Sequence, residues 1–259
     1  MMLPLDGRTV LVTRPAHQAG SLAQKVVEAG GEAFVFPALG IEPVALDGLA
    51  DALAYLAGAD IVIFVSPNAA QYGLAAIRAR GTLPDAGRFF AVGPGTARAL
   101  VVQGLEGAVT PDGQDSEALL ALPELQAVAG QRVVIVRGVG GRPLMSDTLR
   151  ARGADVHFME CYRRTCPPAD PSRLLARWRA GGIDAVTIAS AETLYNLARL
   201  LGEPGAPLLA ATPLFAPHEK IAETARRFGI ARVITTPGGD DGLLDGLVNW
   251  FRNKTGSKT

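Results

Sequence analysis

The 259-residue chain balances 25 Lys+Arg against 25 Asp+Glu, is 48% hydrophobic, and contains 30 glycines and 18 prolines. It is too apolar for disorder and long enough for two domains of ordinary size, while zero formal charge excludes bulk electrostatic attachment to nucleic acid or an anionic membrane and leaves room only for a local basic site. Cys161 and Cys166, without nearby histidines, make neither a zinc site nor a disulfide framework. The opening residues lack the apolar core of a secretion signal, and no apolar run approaches the roughly 20 residues of a membrane span; a cytoplasmic protein with free thiols is expected.

In chain order, Val10–Thr13 is a buried-strand run closed by Arg14-Pro15, with proline suited to a helix's first turn. Ala19, Leu22, Ala23, Val26, Val27 and Ala29 then supply a helical apolar face, stopped at Gly30-Gly31. Glu32–Val44 is extended but interrupted by Pro37 and Pro43, which confines it to a sheet edge or a ribbon crossing a gap. A helix follows over Leu46–Leu56. Ile61–Val65, apolar at every position, reads as a central strand covered on both faces. Ser66-Pro67 opens the helix bearing Tyr72, Leu74 and Ile77, Phe89–Val92 is the next strand, and Gly93-Pro94-Gly95-Thr96 opens a helix ending near Gly104. A loop over Thr110–Asp115 precedes a helix at Glu117–Leu122. From Gln131 the alternation begins again and ends in a helix through Trp250 and Phe251; the polar tail Asn253–Thr259 is expected to fray.

The second half repeats the first. Arg14, ending its strand, recurs as Arg137; Asp60–Asn68 recurs as Asp184–Glu192; Arg88–Gly93 recurs as Pro207–Ala216 with a small insertion; and Thr110-Pro111-Asp112-Gly113 recurs as Thr236-Pro237-Gly238-Gly239. A period above 120 residues is too long for a solenoid and indicates two similar globular halves. Strand alternating with helix gives the fold class: α/β, two similar doubly wound parallel-sheet domains of flavodoxin or Rossmann type.

In such sheets ligands bind beyond the carboxyl ends of the strands. Those ends are Thr13-Arg14, Ser66-Pro67-Asn68, Gly93–Thr96, Arg137-Gly138, Ser190-Ala191-Glu192 and Ala216-Pro217-His218. Most are small or polar residues at helix starts, where free N–H groups and the positive dipole end favour anions. Two related sets of three such seats point to a large polyanionic ligand gripped between two lobes, with Arg14, Arg137 and Arg142 near the mouth as carboxylate partners or simply solvated loop charges. Ser66 and Ser190 read as helix caps before nucleophiles. His17 and His157 read as a solvated helix-start residue and a strand residue, whereas His218 stands at an anion seat. Arg163-Arg164 read as a solvated strand face and Asp240-Asp241 as a helix N-terminal charge pair.

Nucleotide chemistry is disfavoured. Gly138-Val-Gly140-Gly141-Arg142-Pro143 has proline, and Gly93-Pro-Gly95-Thr-Ala-Arg98 arginine, where the third glycine of a dinucleotide loop belongs. No phosphate-loop segment and no nucleophile elbow occurs.

Leu11-Val-Thr13-Arg14-Pro15, Phe64-Val-Ser66-Pro67-Asn68-Ala69, Ala91-Val-Gly93-Pro94-Gly95-Thr96-Ala97 and Met159-Glu-Cys-Tyr162-Arg163, in this order along the whole chain, resemble the uroporphyrinogen-III synthase family. The resemblance implies a cofactor-free enzyme that closes linear hydroxymethylbilane, an acid with eight carboxylates, with inversion of its terminal ring through an azafulvene and a spiro intermediate. It implies two domains joined by a two-stranded β-ladder with a cleft between them: residues 1–35 plus 169–259 as one domain, 45–160 as the inserted second, and 36–44 and 161–168 as the crossings. The repeat alone allows a simple tandem split near Ala127. The resemblance also makes Tyr162 the acid that assists hydroxyl departure, so that Tyr162→Phe slows turnover at unchanged thermal stability. The expected carboxylate seats are Thr13, Arg14, Ser66, Pro67, Asn68, Gly93, Thr96, Arg137, Gly138, Arg142, Ser190, Ala191, Glu192, Pro217 and His218. The chain departs from the family at Ala216-Pro217-His218-Glu219, where a Gly-Pro-Thr-Thr type turn is usual, which weakens contacts placed there. No cofactor, metal, nucleic acid or membrane partner is implied, and a monomer is expected since no exposed heptad appears. Two rival readings are a two-lobed anion-binding protein without catalysis and a nucleotide-dependent transferase, the latter opposed by both broken glycine motifs.

Overall fold

The computed structural model describes residues 3–85, 87–113 and 115–255. The chain enters through β1 (Thr9–Val12), α1 (Ala16–Glu28) and β2 (Glu32–Val35). It continues through β3 (Gly40–Pro43), α2 (Ala50–Leu56), β4 (Ile61–Phe64), α3 (Pro67–Arg80), β5 (Arg88–Ala91), α4 (Pro94–Val102), α5 (Ser116–Leu120), β6 (Arg132–Gly138), α6 (Leu144–Ala151) and β7 (Asp155–Thr165). It closes with α7 (Ser172–Arg179), β8 (Ala185–Thr187), α8 (Ala191–Ala211), β9 (Leu214–Pro217), α9 (Glu219–Phe228), β10 (Val233–Thr236) and α10 (Gly239–Thr255). Two compact units result: residues up to Gly40 with those from Thr165 onward, and Ile41–Arg164. The divisions fall after Gly40 and after Arg164.

The first unit holds a five-stranded sheet ordered β10-β9-β8-β1-β2, the second one ordered β3-β7-β6-β4-β5. The registers of β2-β1-β8-β9-β10 and of β7-β6-β4-β5 are parallel throughout. Mapping the sequence repeat onto the strands sets β1 against β6, β2 against β7, β8 against β4 and β9 against β5. Under that mapping the two orders coincide apart from β3, an added edge strand beside β7, and the parallel bridge Phe90↔Val109 takes the place of β10 in the second unit. β2, which ends before Pro37, and β3, which ends at Pro43, lie at sheet edges, where a missing donor breaks no ladder.

The central strands are buried on both faces, and period-2 alternation sends successive residues to opposite cores. In the first unit Leu11 joins Trp178, Val186 and Leu197 on one face, while Val10 and Val12 join Leu22, Val26 and Phe215 on the other. In the second, Val62 and Phe64 pack with Leu74, Leu100 and Val136, while Ile61 and Ile63 pack with Phe90, Leu119 and Leu149. Each fully buried side chain of this size contributes about 1.5–3 kcal/mol. Trp178 is buried because its indole N–H finds the Thr212 hydroxyl at 2.9 Å.

Four local expectations need correction. Val27 is 58% exposed and leaves the α1 core face to Ala19, Leu22 and Val26, because it falls about 100° beyond Val26 around the helix. Leu46–Leu56 starts as a tight turn over Leu46–Leu49 before α2. The helix expected over Glu117–Leu122 is Ser116–Leu120, capped by the Asp115 carboxylate on Ala118 N at 2.8 Å. The last helix extends to Thr255, into the segment expected to fray; the rest of that tail lies outside the described residues. The long run α8 is broken at Gly202 (φ 59°), after which Pro204 stands in the first turn of a second segment.

Candidate active site

A doubly wound sheet has its ligand site where the strand order reverses. In the first unit that switch point lies between β1 and β8, in the second between β6 and β4. The residues beyond those strands are Thr13-Arg14 and Ile188–Ser190 in the first, Arg137-Gly138 and Val65-Ser66 in the second.

At the second unit's switch point lies a hollow of about 260 Å³, lined by Val65, Ser66, Ser116, Ile135, Arg137, Gly138, Gly140, Gly141, Arg142, Met145, Ser146, Phe158, Tyr162 and Arg164. Five expected site residues meet there: Ser66, Arg137, Gly138, Arg142 and Tyr162. The lining has three arginines and no carboxylate.

Local chemistry explains how each arrives. Ser66 caps α3, its Oγ accepting from Ala69 N at 3.0 Å, with Pro67 occupying the first helical position. Tyr162 is carried inward by an irregularity in β7: Arg137 pairs with Glu160 but Gly138 with Tyr162, leaving Cys161 as an extra residue. Such a bulge re-aims a side chain, and Cys161 and Tyr162 consequently both enter one core cluster instead of alternating. The Tyr162 hydroxyl lies 3.1 Å from Ser66 Oγ, and its ring packs 5.9 Å from that of Tyr72. Burial pushes the Tyr72 phenol up, and its hydroxyl donates to the Ile41 carbonyl at 3.2 Å. Gly138 is required: a β-carbon there would stand 2.7 Å from Cε2 and Cζ of Tyr162. Cys161 gives its thiol to carbonyl oxygens of Arg137 and Ala69 at 3.5 and 3.9 Å, and burial pushes it up to about 12; it is inert chemically.

Arg137 is the dominant charge. It is only 9% exposed. Its Nε donates to the Gly138 carbonyl at 3.2 Å, its guanidinium lies 4.7 Å from the centre of the Phe158 ring, and Gly141 (φ 111°) passes so close that any β-carbon would collide with Nη2. Among the described residues neither terminal nitrogen of Arg137 has a hydrogen-bond partner. A guanidinium carries five donors, and here the terminal ones are open toward the hollow it lines, where a carboxylate can replace solvent on them. Arg142 is exposed and pairs with Glu117 at 3.5 Å. Pro67, Asn68, Gly93 and Thr96 stand at neighbouring strand ends outside the lining; Gly93 caps α4 in extended backbone and Thr96 is buried in its first turn.

The first unit's candidates are arranged differently. Thr13 is fully buried and donates its hydroxyl to the Thr187 carbonyl at 2.6 Å, a tie between β1 and β8. Arg14 forms an ion pair with Asp240 in the first turn of α10, in a geometry that leaves Arg14 Nε and Asp240 Oδ1 without hydrogen bonds. Asp240-Asp241 is thus more than a charge pair at a helix start, since Asp241 also holds Lys25 at 2.7 Å. Ser190 caps α8 by accepting from Thr193 N at 3.1 Å, ahead of Ala191 and Glu192. Pro217 ends β9, buried. His218 is exposed and takes φ 69°, the one positive φ outside glycine among the described residues; a β-carbon on Gly238 would stand 2.9 Å from its imidazole. Backbone held in that region stores roughly 1–3 kcal/mol and clusters at ligand sites. Glu219 beside it is held below the usual carboxylate range by the Thr235 hydroxyl and Arg226.

Sequence reasoning missed Ser116, Ser146, Phe158 and Glu160, and it left Arg164, a lining residue, among solvated charges. One usable signal was the failed dinucleotide loop: Gly140 (φ 75°) and Gly141 serve the hollow instead of a pyrophosphate.

Parallel sheets between helices, with a cationic hollow at a switch point, define a parallel-sheet α/β protein. A family model described as uroporphyrinogen-III synthase HemD matches residues 20–243. The chain belongs to the uroporphyrinogen-III synthase family, cyclising lyases of haem biosynthesis. It is similar to the uroporphyrinogen-III synthase of Salmonella typhimurium, 37% identical over 246 residues spanning 92% of this chain and 99% of that protein. It is similar likewise to that of Escherichia coli, at 36% over 247 residues and the same shares. In fold it resembles a mutant uroporphyrinogen III synthase from Thermus thermophilus (TM-score 0.63, 21% identity, covering 97% of this chain and 99% of that one). The synthetase from Helicobacter pylori is also similar (TM-score 0.59, 12% identity, 94% and 99% covered).

Proposed function

We propose that this chain closes hydroxymethylbilane to uroporphyrinogen III by the route its family implies, and that the second unit's hollow seats one acid-bearing ring of the substrate. The observation that carries this reading is Arg137, largely buried with its terminal nitrogens unanswered at the switch point. At about 260 Å³ the hollow is smaller than the roughly 300–1,000 Å³ usual for a whole ligand, and suits one pyrrole with its carboxylate arms. Arg137 takes a carboxylate bidentately, Arg142 and Arg164 add charge at the rim, and Ser66, Pro67, Asn68, Gly93, Thr96 and Gly138 offer backbone or hydroxyl contacts around it. In the first unit Thr13, Arg14, Ser190, Ala191, Glu192, Pro217 and His218 form the corresponding set for further carboxylates, through backbone N–H groups more than through side chains. The division into a domain of 1–35 plus 169–259 and an inserted domain of 45–160, joined by paired crossings, belongs to the same proposal. So do a cytoplasmic location and a monomeric state.

The substrate is already reactive, so the protein's task is mainly geometric. Hydroxyl loss from the terminal ring gives an azafulvene; the far ring attacks through its substituted carbon, and the spiro intermediate fragments and recloses with that ring inverted. Holding one such conformer can supply up to about 7–11 kcal/mol, and each charge-assisted carboxylate contact about 1.5–3 kcal/mol. Tyr162 assists departure, a role supported by its hydroxyl's contact with Ser66 Oγ at the hollow. Ser66 Oγ already accepts the Ala69 N–H, so its own proton is free for the Tyr162 oxygen, which leaves the phenol proton for the leaving hydroxyl. The test is incubation with hydroxymethylbilane and separation of type I and type III isomers. Type III product supports the reading. Type I alone, at the spontaneous rate, leaves an anion-binding protein and rejects the enzyme.

A further inference from the structure

In the free protein, the carboxylate nearest Arg137 is the protein's own. Glu160 Oε1 accepts from Gly140 N at 3.1 Å and stands 3.8 Å from Arg137 Nε. Its oxygen thus lies between a loop N–H and the guanidinium, which is where an incoming carboxylate would be drawn. The loop supports that placement: Gly140 (φ 75°) and Gly141 (φ 111°) turn it back over the guanidinium in a conformation only glycine adopts freely. Glu160 precedes the bulge residue Cys161, so it remains on the Arg137 side while Tyr162 turns into the hollow. Its hold is loose. The side chain is 39% exposed, and the contact to Arg137 is an ion pair without a hydrogen bond.

We propose, resting on the reading of the hollow as a carboxylate seat, that Glu160 is a resident stand-in anion setting the site's selectivity. It partly satisfies Arg137 and Gly140 N–H when the seat is empty. A substrate carboxylate must displace it or bind beside its charge, so weak monoanions gain little. A substrate carrying several carboxylates, anchored elsewhere by its other arms, brings a high local concentration of the competing group. Glu160 acts through Arg137 and the loop, as a positioning and specificity-determining residue.

Glu160→Gln keeps an oxygen for Gly140 N–H and removes the charge; Glu160→Ala removes both. Two readouts separate this proposal from the one beneath it: KM for hydroxymethylbilane, and the dissociation constant of uroporphyrin III, a stable eight-carboxylate ring, followed by fluorescence titration. For like charges a few ångströms apart in a partly wet site, the expected gain is about fivefold in both constants for either variant, with acetate becoming a better competitor against uroporphyrin. Unchanged or weakened uroporphyrin binding in both variants overturns the stand-in and makes Glu160 a plain loop tie. Wild-type protein that forms no type III isomer instead sinks the catalytic reading, and the titration still decides the role of Glu160.

Discussion

Tyr162→Phe removes one oxygen and leaves the ring packed beneath Tyr72, so its two consequences can be worked out separately. The hydroxyl lies 3.1 Å from Ser66 Oγ in a partly buried position. Its loss removes one neutral hydrogen bond, about 1 kcal/mol, which lowers Tm by a few degrees, about 2–4 °C for a chain of this size. The expectation of unchanged stability drawn from sequence therefore gives way to a small, measurable loss. The catalytic consequence is larger. General acids supply about 10²–10⁴-fold, and because the substrate loses hydroxyl readily the low end applies, about 10² in turnover. Ser66→Ala separates the two: it removes both the α3 cap, about 1 kcal/mol, and the partner that orients the phenol. The assay is single-turnover conversion of hydroxymethylbilane with isomer separation, beside thermal unfolding of each variant and of the double mutant. If Tyr162→Phe keeps type III formation within twofold of wild type while losing the few degrees, the phenol is a structural partner of Ser66 and the acid role is wrong.

Gly138→Ala sets a methyl group 2.7 Å from the Tyr162 ring, so the ring must turn; we expect about 1–3 kcal/mol lost to overpacking and turnover reduced at least as far as in Tyr162→Phe, and full activity would show that the ring's placement is unimportant. Asp240→Asn uncouples a mostly buried pair with Arg14, and allowing for its partial exposure the loss is about 2 kcal/mol against the 3–5 of a fully buried pair, read as a shifted denaturant midpoint; no shift shows that the pair does not stabilise the fold. The Cys161 thiol, raised by burial to about 12, should resist iodoacetamide at pH 8 in the folded protein while Cys166 is labelled. Because its folded pKa lies above the unfolded value of about 8.5, its contribution is constant below that pH and declines as pH rises toward 12. The stability difference between wild type and Cys161→Ala should therefore narrow above pH 8.5, and a difference flat across that range contradicts the burial argument.

What was legible in the sequence was what is encoded locally or by repetition. The runs Val10–Val12 in β1 and Ile61–Phe64 in β4 carry no polar residue, so burial on both faces follows directly. Pro37 and Pro43 cannot donate in a central ladder, and the edges are where β2 and β3 lie. Ser66 and Ser190 declared themselves as caps by preceding helical runs. Repetition of Asp60–Asn68 at Asp184–Glu192 announced two similar halves, since equal lengths of alternating strand and helix build like units. The hidden features depend on partners far along the chain. Nothing near Arg14 announces Asp240, and nothing in Met159–Arg163 reveals the extra residue in the ladder, because a bulge is a mismatch between two strands and is written in neither alone. Arg164 is exposed, as its sequence setting implies, and only the loops after β4 and β6 make it part of the hollow's lining.

The duplication makes one contrast especially informative. Arg14 and Arg137 end corresponding strands at corresponding switch points, so geometry inherited from the repeat would give them the same task. They have been resolved in opposite ways. Arg14 is claimed by Asp240 in a half-buried, poorly angled pair that leaves its Nε unmet, and removing either partner strands a charge. Arg137 meets only a loosely held Glu160 and its own chain, with its terminal nitrogens directed at a hollow that contains no acid in its lining. A guanidinium cannot shed its charge, so a largely buried one must either be neutralised from within or wait for a ligand. The first unit took the former course at its switch point. The second left its guanidinium open, which is why the proposed function gives Arg137, and not Arg14, the side-chain grip on a substrate carboxylate.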